Sequence, residues 1–374
     1  MAKNSETKFH VKSSYLVGCR FDNWIRLLWQ NKFRISWRFV PAALYITLVS
    51  LVMFLPAMLE KWIYGKRIRE TNLTKAPVFI LGHWRSGTTY LLNVMSQDEQ
   101  FAYFDAVSAF SHSNFLLLGK FLRKVEKGMI PPKRPMDNII YTTYVPQEEL
   151  YAYGSLIPEC IIHMTAFPRN YRFYADMAFT DRMTPKQKKR FMRTFDGVLK
   201  KLTFAKDGKR LILKSPDDTC HVNAILELYP DAKFVHIYRD PYHVIVSTIG
   251  LFNKLFPMFG MQNFDASAIL EDFIVGFYAE VYDQYFKDKE NIPQGNLIEI
   301  RYEDFVARPI DTLKEVYEAL NLEGFEAARG NFESYIESLG DYQTNVFKIS
   351  PELTAKINAR LRKYIEGFGY RIRE

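Results

Sequence analysis

Residues 77–82 read Pro-Val-Phe-Ile-Leu-Gly, an unbroken apolar run, and similar short runs recur at Leu211–Lys214, Lys233–Tyr238 and Asn296–Arg301. Continuous rather than alternating apolar character belongs to strands covered on both faces. Stretches of helical period follow them: Thr88–Gln97, the region His221–Leu228, a helix opened by Asp240-Pro241, and Pro309–Leu320. Aspartate at an N-cap with proline at the first helical position is a start signal, because the carboxylate accepts from an unpaired first-turn amide and proline lacks an amide hydrogen where none would be paired. The alternation predicts an α/β fold, a parallel sheet flanked by helices. In such sheets ligands bind beyond the carboxyl ends of the strands. Arg85, Lys214, Arg239 and Tyr302 fall at or just after those ends.

Two regions depart from this pattern. Phe101–Phe204 is aromatic-rich and largely helical, punctuated by Pro131-Pro132 and Pro146. An insertion of that size, about 101–205, is expected to be a substrate lid or acceptor pocket, with plain helical packing as the other reading of its residues. Upstream, Phe39–Leu59 carries no charge and is long enough to cross roughly 30 Å of hydrocarbon as a helix. It begins too late for a signal peptide. Trp24, Trp29, Trp37 and Trp62 flank it, with Lys32, Arg34 and Arg38 before it and Lys61, Lys66, Arg67 and Arg69 after it. Such flanks suit an interfacial anchor. Residues 1–75 are therefore expected to form a membrane-associated helical segment and 76–374 the catalytic domain. A span, an in-plane or hairpin anchor and a buried core helix all remain open, since Pro41 and Pro56 are potential breaks. The short polar stretch Lys66–Ala76 leaves no stalk.

Composition narrows the function. A formal charge of +8 favours anionic partners. Nucleic acid is not expected among them, because zinc-finger spacing, RNP-like aromatics and arginine-rich tracts are missing from the sequence. Cys19, Cys160 and Cys220 are odd in number and far apart, which suits a reducing compartment.

The chemistry concentrates in Gly82-His83-Trp84-Arg85-Ser86-Gly87-Thr88-Thr89, between the first strand and its helix. Backbone amides of such a turn and the positive end of the following helix dipole make an anion cradle. The spacing copies the nucleotide P-loop, with Thr88 where that loop has lysine. The P-loop lysine reaches the β- and γ-phosphates of a triphosphate, and the next hydroxyl holds magnesium. With Arg85 as its only cation, this loop suits a phosphorylated group of lower charge handled without a metal.

At this point the chain resembles a known family. The Arg-Ser-Gly-Thr-Thr loop, and Tyr238-Arg239-Asp240-Pro241 with Ser247 eight residues after the arginine, are similar to the two binding signatures of sulfotransferases. These enzymes use 3′-phosphoadenosine 5′-phosphosulfate (PAPS) and release PAP. The resemblance is to the branch, common in bacteria, with Gly-His-Trp-Arg-Ser-Gly-Thr-Thr and a downstream Pro-Gln-Glu-acidic motif, here Pro146-Gln147-Glu148-Glu149. It implies a sulfotransferase fold in which Arg85, Ser86, Gly87, Thr88 and Thr89 grip the 5′-phosphosulfate and Arg239 and Ser247 the 3′-phosphate. It further implies Tyr302 packing on adenine, where a core tyrosine is the alternative, and a loop Tyr342-Gln343-Thr344-Asn345 closing over the nucleotide with Tyr342 and Asn345. Glu148 is the implied general base, Glu149 the second choice, and Lys214 the cation at the leaving phosphate oxygen. Close relatives usually carry histidine where this chain has Asp218, which adds weight to Glu148 as the base. His83 and His221 stay outside the catalytic set.

Elementary electrostatics agrees. The donor's two ends carry roughly four negative charges, with up to about two on a phosphate monoester, so two separate cationic or amide-rich sites are needed. An ordinary ion pair of Arg239 with Asp240 or Asp283 is the competing reading.

The expected activity is sulfuryl transfer from PAPS to a hydroxyl of a lipid-like acceptor such as a sterol, a steroid or another amphiphilic alcohol. The anchor, the missing stalk and the aromatic insertion suggest that class, at the cytoplasmic face of a membrane (the inner membrane if bacterial). A carbohydrate acceptor, a P-loop kinase and a non-catalytic membrane scaffold are the rivals.

Overall fold

The computed structural model describes residues 14–127, 143–340 and 349–374, which group into two units. One gathers Leu73–Tyr103, Lys206–Gly250 and Ala266–Glu374; the other gathers Met1–Asn72, Phe104–Ala205 and Leu251–Asp265.

The first unit is built on β1 (Val78–Leu81), β2 (Phe101–Ala102), β3 (Arg210–Leu213), β4 (Lys233–Tyr238) and β5 (Leu297–Arg301), in the order β2-β3-β1-β4-β5. Every pairing is parallel, with Phe79 opposite Leu213 on one side and Phe234 on the other. The four apolar runs are the four longer strands. β2 has only two residues, too short to leave a periodic trace. All four residues of β1 are fully buried, as a central strand between two helical layers requires. On one face Val78, Ile80, Val235 and Ile237 pack with Leu91 and Met95 of the Thr88–Met95 helix and Leu313 and Val316 of the Pro309–Ala319 helix. On the other face the Phe79 and Phe234 rings stack at 5.9 Å. His236 there packs against Tyr285 and Tyr282 of the Leu270–Asp288 helix. The C-terminal Pro351–Gly367 helix covers that layer, its Tyr364 stacked on Phe286.

The second unit is helical. Its longest element, Val40–Glu70, runs 31 residues, about 46 Å at 1.5 Å per residue. Pro41 lies in the first turn, where its missing amide costs no hydrogen bond, and the helix continues through Pro56. Among the described residues, Trp37–Glu70 is the one helix long and apolar enough to cross a membrane. One side of it is packed within the unit. Trp24 Nε1 donates to Thr47 Oγ1 at 2.8 Å. Lower down, the buried Glu60 carboxylate accepts the Leu117 amide at 2.7 Å, in the first turn of the Phe115–Lys127 helix, and pairs with Lys201 of the Pro185–Ala205 helix. Lys201 also donates to the His112 carbonyl. Burial pushes the Lys201 amine down and the Glu60 charge opposes that shift.

A buried pair of this kind is worth little net, but removing one partner strands the other. Glu60→Ala or Lys201→Ala should each cost about 3–5 kcal/mol, measured by denaturant titration in detergent, whereas Glu60→Leu with Lys201→Met should recover most of the loss. Stability should also depend on acid. Burial lowers His163 to about 4, against hydrogen bonds to the Ile157 and Gly154 carbonyls. The unfolded chain then binds a proton the folded one refuses. Stability contributed by neutral His163 should be complete above pH ~6.5 and fall towards pH ~4 by up to roughly 3 kcal/mol. A His163→Gln variant should show a flatter pH dependence of its denaturation midpoint.

Candidate active site

The loop after β1 turns through backbone conformations that few side chains tolerate. Gly82 has φ 148° and Gly87 φ 107°. A Cβ on Gly82 would lie 2.5 Å from the Ile237 carbonyl oxygen, and one on Gly87 2.3 Å from the Tyr302 ring. Those positions therefore require glycine. Arg85, between them, takes φ 70° without being glycine, a strained geometry that persists only where its surroundings hold it. What holds it is Ser247: Arg85 Nε donates to Ser247 Oγ at 2.9 Å. At the next residue, Thr248 Oγ1 donates to the Trp84 carbonyl at 3.3 Å. The loop is thus bonded to the Pro241–Phe259 helix at two successive residues.

From the β3 side, Thr219 Oγ1 accepts the Gly82 amide at 2.8 Å. The Ser86 amide donates to the His83 carbonyl at 3.2 Å, closing the turn. Gly87 is the N-cap of the Thr88–Met95 helix, so the positive end of that dipole opens into the loop. Ser86 Oγ is fully buried and has no hydrogen-bond partner among the described residues. Thr88 is buried as well, and a threonine there cannot make the phosphate contact of a P-loop lysine. Thr89 is half-buried beside it.

Arg239 follows β4. Its guanidinium lies 4.2 Å from the Tyr302 ring centroid, and its buried Nε has no partner among the described residues. The ion-pair alternative for this arginine is not realised. Asp240 Oδ2 accepts from Arg373 at 2.6 Å, and Asp283 accepts from Lys363 at 2.6 Å. Tyr302 opens the Tyr302–Ala307 helix after β5, and its ring touches both Arg239 and the Gly87 backbone position. Arg85, Ser86, Gly87, Arg239, Ser247 and Tyr302 are therefore linked by direct contacts or chain adjacency. Lys214 follows β3 and is buried.

The Asp218 departure has a structural reason. Its Oδ2 accepts the Ser215 amide at 3.1 Å, so the carboxylate braces the turn that carries Lys214. His83 Nδ1 donates to the Trp84 carbonyl at 3.0 Å, and burial lowers the ring to about 4, so it is neutral near pH 7. His221 Nδ1 lies 3.8 Å from Asp218.

Glu148 and Glu149 belong to the helical unit. The Gln147 amide donates to the Phe104 carbonyl at 2.7 Å, pinning the segment. Glu148 stands at the N-cap of the Glu149–Gly154 helix without capping it, and is half-buried, whereas Glu149 is fully buried. Tyr342 and Asn345 lie outside the described residues. Sequence reasoning missed Thr219 and Thr248, hydroxyls on other elements that carry no spacing signal relative to the loop they brace.

Over residues 77–327 the chain matches the model of the sulfotransferase family. It is 32% identical, over 362 residues, to the omega-hydroxy-beta-dihydromenaquinone-9 sulfotransferase Stf3 of Mycobacterium bovis and of Mycobacterium tuberculosis, spanning 95% of this chain and 90% of the relative. Among solved structures, sulfotransferase STF9 from Mycobacterium avium has a TM-score of 0.67 at 14% identity, covering 95% of this chain and 98% of its own. Sulfotransferase STF1 from Mycobacterium tuberculosis H37Rv has a TM-score of 0.65 at 15% identity, covering 93% and 94%. The structures show the shared α/β fold, and the sequence matches show the membership: the chain belongs to the sulfotransferase family and is an enzyme of that family.

Proposed function

We propose that the donor is PAPS and that this enzyme transfers its sulfuryl group to a hydroxyl of a lipid-like alcohol, giving a sulfate ester and PAP. The single observation carrying the donor assignment is the Arg85–Ser247 hydrogen bond, which unites two anion-binding signatures 162 residues apart. The Ser86 hydroxyl and Arg239 Nε, unpartnered among the described residues, are buried donors just past the neighbouring strands β1 and β4, as a ligand charged at both ends needs. In this reading Arg85, Ser86, Gly87, Thr88 and Thr89 hold the 5′-phosphosulfate, Arg239 and Ser247 hold the 3′-phosphate, and Tyr302, Tyr342 and Asn345 contact the nucleotide.

The acceptor oxygen forms its bond to sulfur as the sulfur–oxygen bond to the 5′-phosphate breaks. The bonding pair leaves on PAP, where Lys214 stabilises it. Glu148 removes the acceptor proton; Glu149, fully buried, is the weaker choice. In-line positioning and electrostatics supply most of the acceleration, and no metal takes part in this scheme.

The acceptor is proposed to be an amphiphilic alcohol, with residues 101–205 contributing its binding region and 1–75 attaching the enzyme to the cytoplasmic face of a membrane. Similarity to a relative named for an omega-hydroxy dihydromenaquinone favours a hydroxyl on a long isoprenoid-like chain over a sterol, a steroid or a carbohydrate.

Thermal-shift titration should show PAP stabilising the protein more than ATP with magnesium; the reverse order would favour a kinase. Arg239→Ala should weaken PAP binding by about 30- to 1,000-fold, the worth of charge-assisted hydrogen bonds of roughly 2–4 kcal/mol, measured by calorimetry. Glu148→Gln should lower kcat by about 10²–10⁴ while leaving PAP affinity unchanged; retained turnover would remove Glu148 from the mechanism.

A further inference from the structure

The Val40–Glu70 helix has two unlike sides. Leu44, Leu48, Leu51, Leu55, Met58 and Trp62 are all exposed, Leu55 by 73% and Trp62 by 82%. At ~100° per residue they lie within about 40° of one line along the helix. Ala42, Ile46 and Glu60 are buried and point roughly the opposite way. A soluble protein rarely leaves so long an apolar stripe uncovered.

Its ends say what covers it. Lys32, Arg34 and Arg38 before the helix, and Lys66, Arg67 and Arg69 in its last turns, are exposed, bracketing the stripe with positive charge. Trp29 and Trp37 are exposed by 73% and 83% at the leading end. Cations outside, tryptophans at the margin and aliphatic side chains between them match the layers of an anionic lipid surface.

The packed side decides orientation. The Phe21–Gln30 and Pro185–Ala205 helices lie against this helix, and they expose Arg26, Lys189 and Arg193. Glu60 is tied to Lys201 and to the Phe115–Lys127 helix. Carrying the helix through a bilayer would take these charges into hydrocarbon or tear Glu60 from its partners, and both are costly.

We propose that the exposed face of Val40–Glu70 docks in the plane of one leaflet of an anionic bilayer and does not cross it. This deepens the membrane attachment proposed above, but its test does not depend on donor or acceptor.

The full-length protein is floated with vesicles of 30% phosphatidylglycerol in phosphatidylcholine. The expected result is co-flotation, reduced at least tenfold for the triple variant Leu48→Gln, Leu55→Gln, Trp62→Gln and reduced at high salt. Circular-dichroism melting curves on the same samples verify folding, so lost flotation with an unchanged melting transition is read as lost docking alone. Wild-type protein that binds PAP but does not float would overturn docking and leave the proposed reaction standing. A protein that floats without binding PAP would do the reverse. Light scattering that shows a dimer abolished by the triple variant would assign the face to a second copy. Orientation is read from Val40→Cys and Arg69→Cys, each in the full chain, since Cys19, Cys160 and Cys220 are buried. In native membranes a membrane-impermeant maleimide should label both from the same side; labelling from opposite sides would establish a span and overturn the proposal.

Discussion

The hydrogen bond from Arg85 Nε to Ser247 Oγ is the constraint on which the site's order depends. Arg85 sits in a left-handed backbone conformation that residues other than glycine adopt uncommonly. Ser247 holds it, and Thr248 beside it holds the Trp84 carbonyl. If the Pro241–Phe259 helix shifted by one turn, both bonds would be lost together and the loop could relax. Thr219 fixes the other margin through the Gly82 amide. The cradle is therefore held by tertiary bonds within the protein, the kind of preorganisation that electrostatic catalysis requires.

Charge is distributed to leave the anion-facing groups available. Asp240 is occupied by Arg373 and the Tyr242 amide, so Arg239 turns to the Tyr302 face instead of its sequence neighbour. Asp218 is committed to the Ser215 amide. Glu299 shows the same economy away from the site: burial raises it, but hydrogen bonds from His236 and Tyr285 and the Lys289 charge outweigh that and hold it at about 2. Burial in turn keeps His236 on the neutral side, so the contact is best read as a neutral imidazole bonded to a carboxylate.

Much of the sheet was legible because buried parallel strands are continuous apolar runs. Lys233–Tyr238 is found with the bounds its sequence suggests, and the glycine turn and its helix stand where spacing put them. Two-residue β2 was not legible, since pairing with β3 and not local pattern creates it. The uncharged run Phe39–Leu59 marked an apolar helix but not its end. The helix continues to Glu70 because the polar residues that follow are good helix formers, and only tertiary structure shows Glu60 buried. Proximity of Arg85 to Ser247 was suggested by family resemblance; that they bond directly was not. Tyr302 was expected near the nucleotide, but its packing on Gly87 and Arg239 has no signature along the chain.

The Glu60 carboxylate has a practical consequence for anyone wishing to handle this enzyme without detergent. Because it caps the Phe115–Lys127 helix and neutralises Lys201, trimming the hydrophobic leader is not a cosmetic truncation. The shortened chain would keep a stranded ammonium in its interior and an uncapped helix start, along with a bare flank where Ile46 and Ala42 had been. A water-soluble derivative is better sought by recolouring the outward leucines as polar residues while leaving the inward side of that helix untouched.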